Sequence, residues 1–569
     1  MPSSAERARP VPRLAVLVTG TALAVSLLGP LGSGPATASP LSPTAPAVAA
    51  PEVPVAPVPP VPVPAPEAPA PVDEAAARDA LAQAESFAEG DLAPTLRERA
   101  RRTSLLGRLL GRPAVPDSSR VDGTQVLTEL FRLSEGLSRA DQRKAKALLA
   151  RPTDQGADPL GDGYRSASKR TCSDVVCVHW TPRGADAPKN RAWVKRTLSV
   201  LDEVWRAEVG QLGFRKPLPD RGAGGDNRFD VYLKDLGNTG AYGYCTPERR
   251  ASGNRFTASG YCVLDNDFSP KQYAGNPAGK SLRVTAAHEF FHAVQFAYDF
   301  GEDPWFMEST AVWMEERVMG GINDNRQYLP FGQLADPGSS LDRFDAGSFN
   351  QYGNWIWWEH LSDRFGTSIV RKVWDQAAAG GGKKDAYSTE AMRRVLASRG
   401  GFPAVFARYA AATTDASRSF AEGRRWPSPA TSGAQQLAAS SPKARTSAVV
   451  DHMASSSFVY RPDPATVSAR TWSLRIKVRG PRVALSPAAA VRITKTSGKV
   501  VERRVPLSRG GRGSTVVPFG AAGVSQVTVT LANASTRFRC WKGSFTASCQ
   551  GKPRDNNVPF SLRVQAFRR

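Results

Sequence analysis

Histidine is scarce in this chain, with five residues in 569. Any site built on imidazole must therefore draw on a few positions. Cysteine is almost as sparse: six residues and no C-x-x-C pair, which excludes cysteine zinc ribbons and thioredoxin-like redox motifs. Beyond residue 32 no apolar run is long enough to span a bilayer, so no transmembrane segment is expected in the mature chain. Acidic residues are in deficit, 52 Asp and Glu against 75 Lys and Arg, for a formal charge of +23. That balance suits an anionic partner, such as anionic cell-wall material. Basic and aromatic residues do not alternate along a recognisable groove, so nucleic acid is not an expected partner.

What is present is unevenly distributed. Arg7, Arg9 and Arg13 precede the apolar run "LAVLVTGTALAVSLLGPLG", and Ala36-Thr37-Ala38 offers a small-x-small cleavage site. This is the layout of a secretory signal peptide over 1–38, so a secreted, extracellular protein cleaved after Ala38 is expected. Residues 39–72 are nearly all Pro, Ala and Val, a composition that favours extended polyproline geometry and builds no core. Over 73–160 apolar residues recur every three or four positions, which predicts a helical leader or propeptide. Ser138 and Asp141 form a capping box before "RKAKALLA". The cysteines fall as close pairs, 172 with 177, 245 with 262 and 540 with 549. Local disulfides are the expected pairing in an oxidising compartment.

Residues 161–425 mix strand and helix signals, and 445–569 alternate with period two between turn residues. The expected fold class is α+β, followed by a C-terminal all-β sandwich. Helices are expected at 282–300, 304–319, 352–365, 368–379, 389–398 and 403–420. The acidic stretches "LDNDF" (264–268) and "DFGEDP" (299–304) lack calcium-loop spacing and are expected to be solvated loops. His179, beside Trp180 in a strand, is expected to be a packed core residue.

Two of the five histidines stand four apart in "SLRVTAAHEFFHAVQFAYDF". On a helix, His288 and His292 leave the same face one turn apart, the separation at which two imidazoles bind one zinc. Glu289 projects beside them, placed to take a proton from a zinc-activated water. The flanking residues are apolar nearly all round, so the helix is expected to be buried, where polar groups need partners. A third ligand is available in "DPWFMESTAVWMEERV" as Glu308, with Glu315 two turns later as its rival.

The combination "AAHEFFHAVQFAYD" then "WFMESTAVWMEE" resembles the gluzincin zinc metallopeptidases. More closely, it is similar to a family of secreted bacterial metalloproteases of gluzincin type. "LARPTD" (149–154), "DVYLKDLG" (230–237) and "RFRCWKGSFTASCQG" (537–551) are also similar to that family. The resemblance implies a gluzincin-like catalytic domain over 161–425 with Zn2+ on His288, His292 and Glu308. It also implies Glu289 as general base and hydrolysis of a protein or peptide substrate by a monomer. Fifteen residues separate His292 from Glu308, a few fewer than in the best-known gluzincins. Glu315 is then expected to pair with a basic residue or to orient a ligand histidine. Tyr352, or failing it His360, is the candidate donor to a developing oxyanion. The "GAYGY" stretch (240–244) is either an edge strand that aligns substrate or an ordinary hairpin beside a disulfide. The contrasting expectation for the whole chain is a cell-surface binding protein with a structural zinc site.

Overall fold

The computed structural model describes residues 73–89, 122–154, 158–273, 275–344, 348–378, 386–541 and 547–569. The expected signal peptide, its cleavage site and the Pro/Ala segment lie outside these residues. No helix among the described residues is long and apolar enough to cross a membrane.

The architecture is α+β. A five-stranded mixed sheet, in the order β1-β2-β3-β5-β4, organises the first part. Its strands are β1 (Lys169–Cys172), β2 (Val176–Trp180), β3 (Phe229–Lys234), β4 (Gly243–Ala251) and β5 (Asn254–Asp265). The inner pairs β2/β3 and β3/β5 are parallel, while β1 and β4 run antiparallel at the edges. Alternation along the strands splits the sheet into two buried faces. Val231, Leu233, Cys245, Cys262 and Leu264 join the core beneath helices Arg191–Trp205 and Ala278–Phe296. On the other face Tyr232, Tyr244, Tyr261 and Val263 pack against the leader helices Glu74–Ala88, Gly123–Leu133 and Arg139–Leu148.

The end of the leader is fastened by charge. Arg151, 2% exposed, donates to Asp220, Asp230, Glu248 and the Tyr232 hydroxyl. The "LARPTD" and "DVYLKDLG" segments therefore meet at one buried hub. His179 is buried there too, with Nε2 2.7 Å from Asp230 Oδ1 and its ring stacked on Tyr232.

Two helices cross beneath the sheet: the histidine helix Ala278–Phe296 and the glutamate helix Pro304–Met319, the latter opened by a proline in its first turn. The histidine helix starts four residues earlier and ends four earlier than expected. Pro277, which fixes its own φ, is the N-cap, and Gly279 and Lys280 hid the first turn from an apolar-periodicity reading. The 352–365 element is broken into Asn350–Gly353 and Trp355–Phe365, and 403–420 into Phe402–Thr413 and Ala416–Ser419.

The acidic stretches are buried, which corrects the solvated-loop expectation. Asp265 is fully buried and accepts the Leu236, Asp267 and Phe268 N–H groups. Asp303 and Glu302 accept from Ser388, and Asp303 also accepts the Cys549 N–H. Each carboxylate is buried because it satisfies backbone donors at a turn or helix start.

The second part is a β-sandwich. One sheet runs β11-β10-β13-β8-β6 and the other β12-β9-β16-β7. The first comprises β6 (Gly433–Leu437), β8 (Ala454–Pro462), β10 (Pro487–Lys495), β11 (Val500–Arg504) and β13 (Val524–Asn533). The second comprises β7 (Lys443–Val450), β9 (Trp472–Arg479), β12 (Arg512–Pro518) and β16 (Val558–Arg568), while β14 (Phe538–Arg539) and β15 (Lys552–Pro553) pair as a separate two-stranded ladder. The first sheet backs onto helix Phe402–Thr413 through the small residues Ala488, Ala490 and Ala532, which share the core of the first part. The disulfides are Cys172–Cys177, Cys245–Cys262 and Cys540–Cys549, the three local pairings expected.

Candidate metal centre

His288, His292 and Glu308 come together with ligand atoms all within 4.8 Å of one another. His288 Nε2 lies 3.2 Å from Glu308 Oε2, and His292 Nε2 lies 3.4 Å from Glu308 Oε1. Each outer nitrogen has its own partner. Gln295 gives its Nε2–H to the Met307 carbonyl and the Thr310 hydroxyl, so its Oε1 is free to accept from His292 Nδ1 at 2.8 Å. Glu315 accepts from His288 Nδ1 at 2.7 Å. Both imidazoles are thus held through Nδ1, with their Nε2 atoms turned to Glu308. This is the arrangement that outer partners impose on metal-ligating histidines.

Electrostatics fits the same picture. Burial lowers His292 to about 4, keeping it neutral. Burial opposes a charge on His288, but contacts with Glu308 and Glu315 outweigh it and raise its pKa well above the usual imidazole value. Two ring nitrogens and one carboxylate converge in a buried space, so a positive charge is required there: a proton on His288 Nε2, or a metal cation in its place. The donor set N, N, O suits a divalent zinc with one further position open. Glu289 stands next to the trio, and burial pushes it up to about 7. That value lets it exchange a proton near neutrality.

Tyr352 reaches the site from the short helix Asn350–Gly353, its ring parallel to His288 at 6.0 Å. Its hydroxyl donates to Asp122 Oδ2 at 3.2 Å. His360 does not reach the site. It is buried against Tyr409 and Phe420 in the helical core, where burial lowers it to about 3. Glu315 is not in the ligand cluster, because its carboxylate meets the far nitrogen of His288.

A cleft of about 330 Å³ opens over these residues, lined among others by Tyr242, Gly243, Glu289, Tyr328 and Tyr352. Its rim includes the sheet-edge strand β4. Cys245 faces Cys262 with Cα atoms 4.0 Å apart, the close, non-hydrogen-bonded kind of antiparallel pair. The Cys245 N–H therefore points outward, away from β5. Gly243 is obligatory in this wall, since a Cβ there would lie 2.9 Å from the Glu289 side chain.

The leader occupies part of this cleft, a feature the sequence reading missed. Asp122 N-caps helix Gly123–Leu133 through Oδ1 and holds Tyr352 through Oδ2. Thr124 accepts the outward Cys245 N–H at 2.9 Å and donates to Glu289 Oε2 at 3.1 Å. Gln125 donates to Glu308 Oε1 at 2.6 Å. The sequence signal was modest: an Asp cap followed by two polar residues on the otherwise amphipathic helix "GTQVLTELFRL". Gln295, three residues after His292 in an apolar run, is the other functional residue missed.

No family model matches the chain, and no curated protein does. Among solved structures, a periplasmic inhibitor of g-type lysozyme from Aeromonas hydrophila aligns with 24% of this chain and 96% of its own. The identity is 14% and the TM-score 0.15. A 4-O-methyl-α-glucuronidase with specificity for decorated arabinogalactans aligns with 63% of this chain and 54% of its own, at 8% identity and TM-score 0.13. Neither likeness carries an argument about fold or activity.

Proposed function

We propose that the chain is an exported zinc-dependent endopeptidase of gluzincin type. The observation that carries this reading is the convergence of His288 Nε2, His292 Nε2 and Glu308, with each histidine held from behind at Nδ1. A bound zinc would supply Lewis acidity, polarising a peptide carbonyl and making water acidic enough to lose a proton near neutral pH. The chain's own groups do the rest. Glu289 takes that proton and returns it to the leaving amine. Tyr352, once its hydroxyl is released from Asp122, donates to the oxygen that gains charge. The outward Cys245 N–H gives an extended substrate a backbone partner at the sheet edge. Three disulfides suit an oxidising compartment.

The test is metal content together with casein cleavage, on the full chain and on Glu289→Gln. One zinc per chain, with cleavage abolished by chelator and by Glu289→Gln, is the expected result. A chain that takes up no zinc would overturn the reading. Zinc without cleavage in either protein, even when Thr124 is replaced by Ala, would favour a binding protein with a structural metal.

A further inference from the structure

The β-sandwich offers one sheet to the catalytic body and leaves the other free. The free sheet, β12-β9-β16-β7, shows a one-signed outer face. Strand registry sets Arg445 opposite Arg563 and Arg563 opposite Lys477, a three-strand row of cations. Arg479 stands opposite Arg512 in the next row, and Arg475 flanks the first. All six are exposed, and no Asp or Glu occupies an outward position on these strands. Among the described residues none of the six forms an ion pair with a carboxylate.

Like charges directly opposite in a sheet cost stability. Elsewhere this chain spends its acids on pairing: Arg151, Lys234, Arg283 and Arg317 each have carboxylate partners. A basic overall composition explains many cations, but not their alignment in register on the sandwich face turned away from the catalytic body. A groove of about 300 Å³ runs between Arg445, Arg475, Lys477 and Arg563.

We infer that this face is a docking surface for a linear, flexible polyanion with a phosphodiester in each repeating unit, since only an acyclic chain can settle its anions onto cations spaced unequally along and across the strands. Neighbouring strands repeat a cation about every 4.8 Å, and alternate residues along a strand repeat one about every 6.8 Å. Such a lattice matches a chain of regularly spaced anions. The arginines can grip each anion through two parallel N–H groups. Single-stranded nucleic acid suits the face poorly, because its bases need open aromatic platforms. The outward Phe567 is capped by the Arg475 guanidinium, 4.6 Å from the ring centre. Docking here would hold the peptidase on a charged matrix with the catalytic body turned away from the contact.

The test uses the full-length chain with three probes: polygalacturonate, poly(glycerol phosphate) and duplex DNA, each immobilised at low salt. Binding to poly(glycerol phosphate) is expected, weakening at least about tenfold between about 50 and about 200 mM salt as counterions are released and reabsorbed. Tighter binding of polygalacturonate than of poly(glycerol phosphate) would overturn the proposal. Arg563→Ser with Lys477→Ser should lose about tenfold in affinity, with a melting temperature no lower than that of the parent because a repulsive row is relieved. Should that pair disturb folding, Arg445→Ser on the edge strand gives the same reading with about half the logarithmic loss. A control pair, Lys195→Ser with Lys216→Ser, removes equal charge from exposed positions outside the sandwich. An equal loss in the control would reduce the effect to net charge and overturn the proposal. So would tighter binding of DNA than of poly(glycerol phosphate), or no binding of that polymer at low salt. Casein cleavage is independent of all these outcomes.

Discussion

Glu315 and Gln295 contact no ligand position directly, yet each decides what its histidine can do. Glu315 holds His288 by Nδ1, and Gln295 holds His292 in the same way. Removal of either carbonyl or carboxylate oxygen frees the ring to rotate and to exchange tautomers. Glu315→Ala and Gln295→Ala are each expected to weaken zinc binding by about 10- to 100-fold, as measured by competition with a chromogenic chelator. Glu308→Ala should do more, since it deletes a ligand. If Glu315→Ala proved the more damaging, the ligand assignment would be reversed. Glu289→Gln should keep the metal and lose about 10²- to 10⁴-fold in turnover. This part of the site was legible in the sequence because its logic is local. Four-residue spacing, a glutamate between the histidines and apolar surroundings follow from helix geometry alone. Gln295 was equally local and was still missed, because a polar residue one turn after a ligand shows its role only when its amide is seen to face both ways.

At the scale of elements, the decisive contact joins parts that are far apart in sequence. Thr124 meets Glu289 across 165 positions, and Gln125 meets Glu308 across 183. No periodicity or motif announces such a meeting, so the helical pattern of the leader was readable while its destination was not. The leader also closes one face of the sheet. Leu127 and Leu130 are fully buried between its helices and β4, and Gly123 sits so close that a Cβ would lie 2.7 Å from Phe87. Leu130→Ala should therefore destabilise the α+β body by about 3 kcal/mol in urea unfolding. Deleting the leader is for this reason a poor way to open the cleft, because it would uncover the sheet. Thr124→Ala is the cleaner change: it deletes the group that covers both the Glu289 carboxyl and the edge N–H. Each such hydrogen bond is worth about 1 kcal/mol net, so on the proposed function turnover of a short peptide should rise up to about thirtyfold over the parent. A fall in turnover would instead make Thr124 a working part of the site.

At the scale of the whole molecule, the sandwich is clasped to the α+β body by a buried ion pair. His452, on the sandwich side, places Nε2 2.8 Å from Asp342 Oδ1 and Nδ1 2.7 Å from Asn556 Oδ1. The Asn556 oxygen also accepts the His452 backbone N–H, which fixes its amide orientation. Both ring nitrogens therefore face acceptors, an arrangement that favours the protonated ring. Burial opposes that charge, but Asp342 and Asn556 outweigh it and raise His452 above the ordinary value. Asp342 in turn is lowered by the same partner against its own burial. Asp342 also accepts the Ser548 N–H, so the loop closed by Cys540–Cys549 joins the clasp and, through Cys549 on Asp303, the start of the glutamate helix. The sign of the pH dependence follows. The His452 contribution is complete below the unfolded imidazole value of about 6.5 and is lost as pH rises through its higher folded value. The Asp342 contribution is complete above the unfolded value of about 3.9 and is lost as pH falls through its lower folded value. The clasp is therefore strongest between about pH 4 and about pH 6.5. His452→Gln should cost about 3 kcal/mol in that window and progressively less above it, because the parent itself loses the charge. Melting temperatures of parent and variant, compared at pH 6 and pH 9, should converge at the higher pH. A gap that stays constant would show that packing, not charge, holds the two parts together.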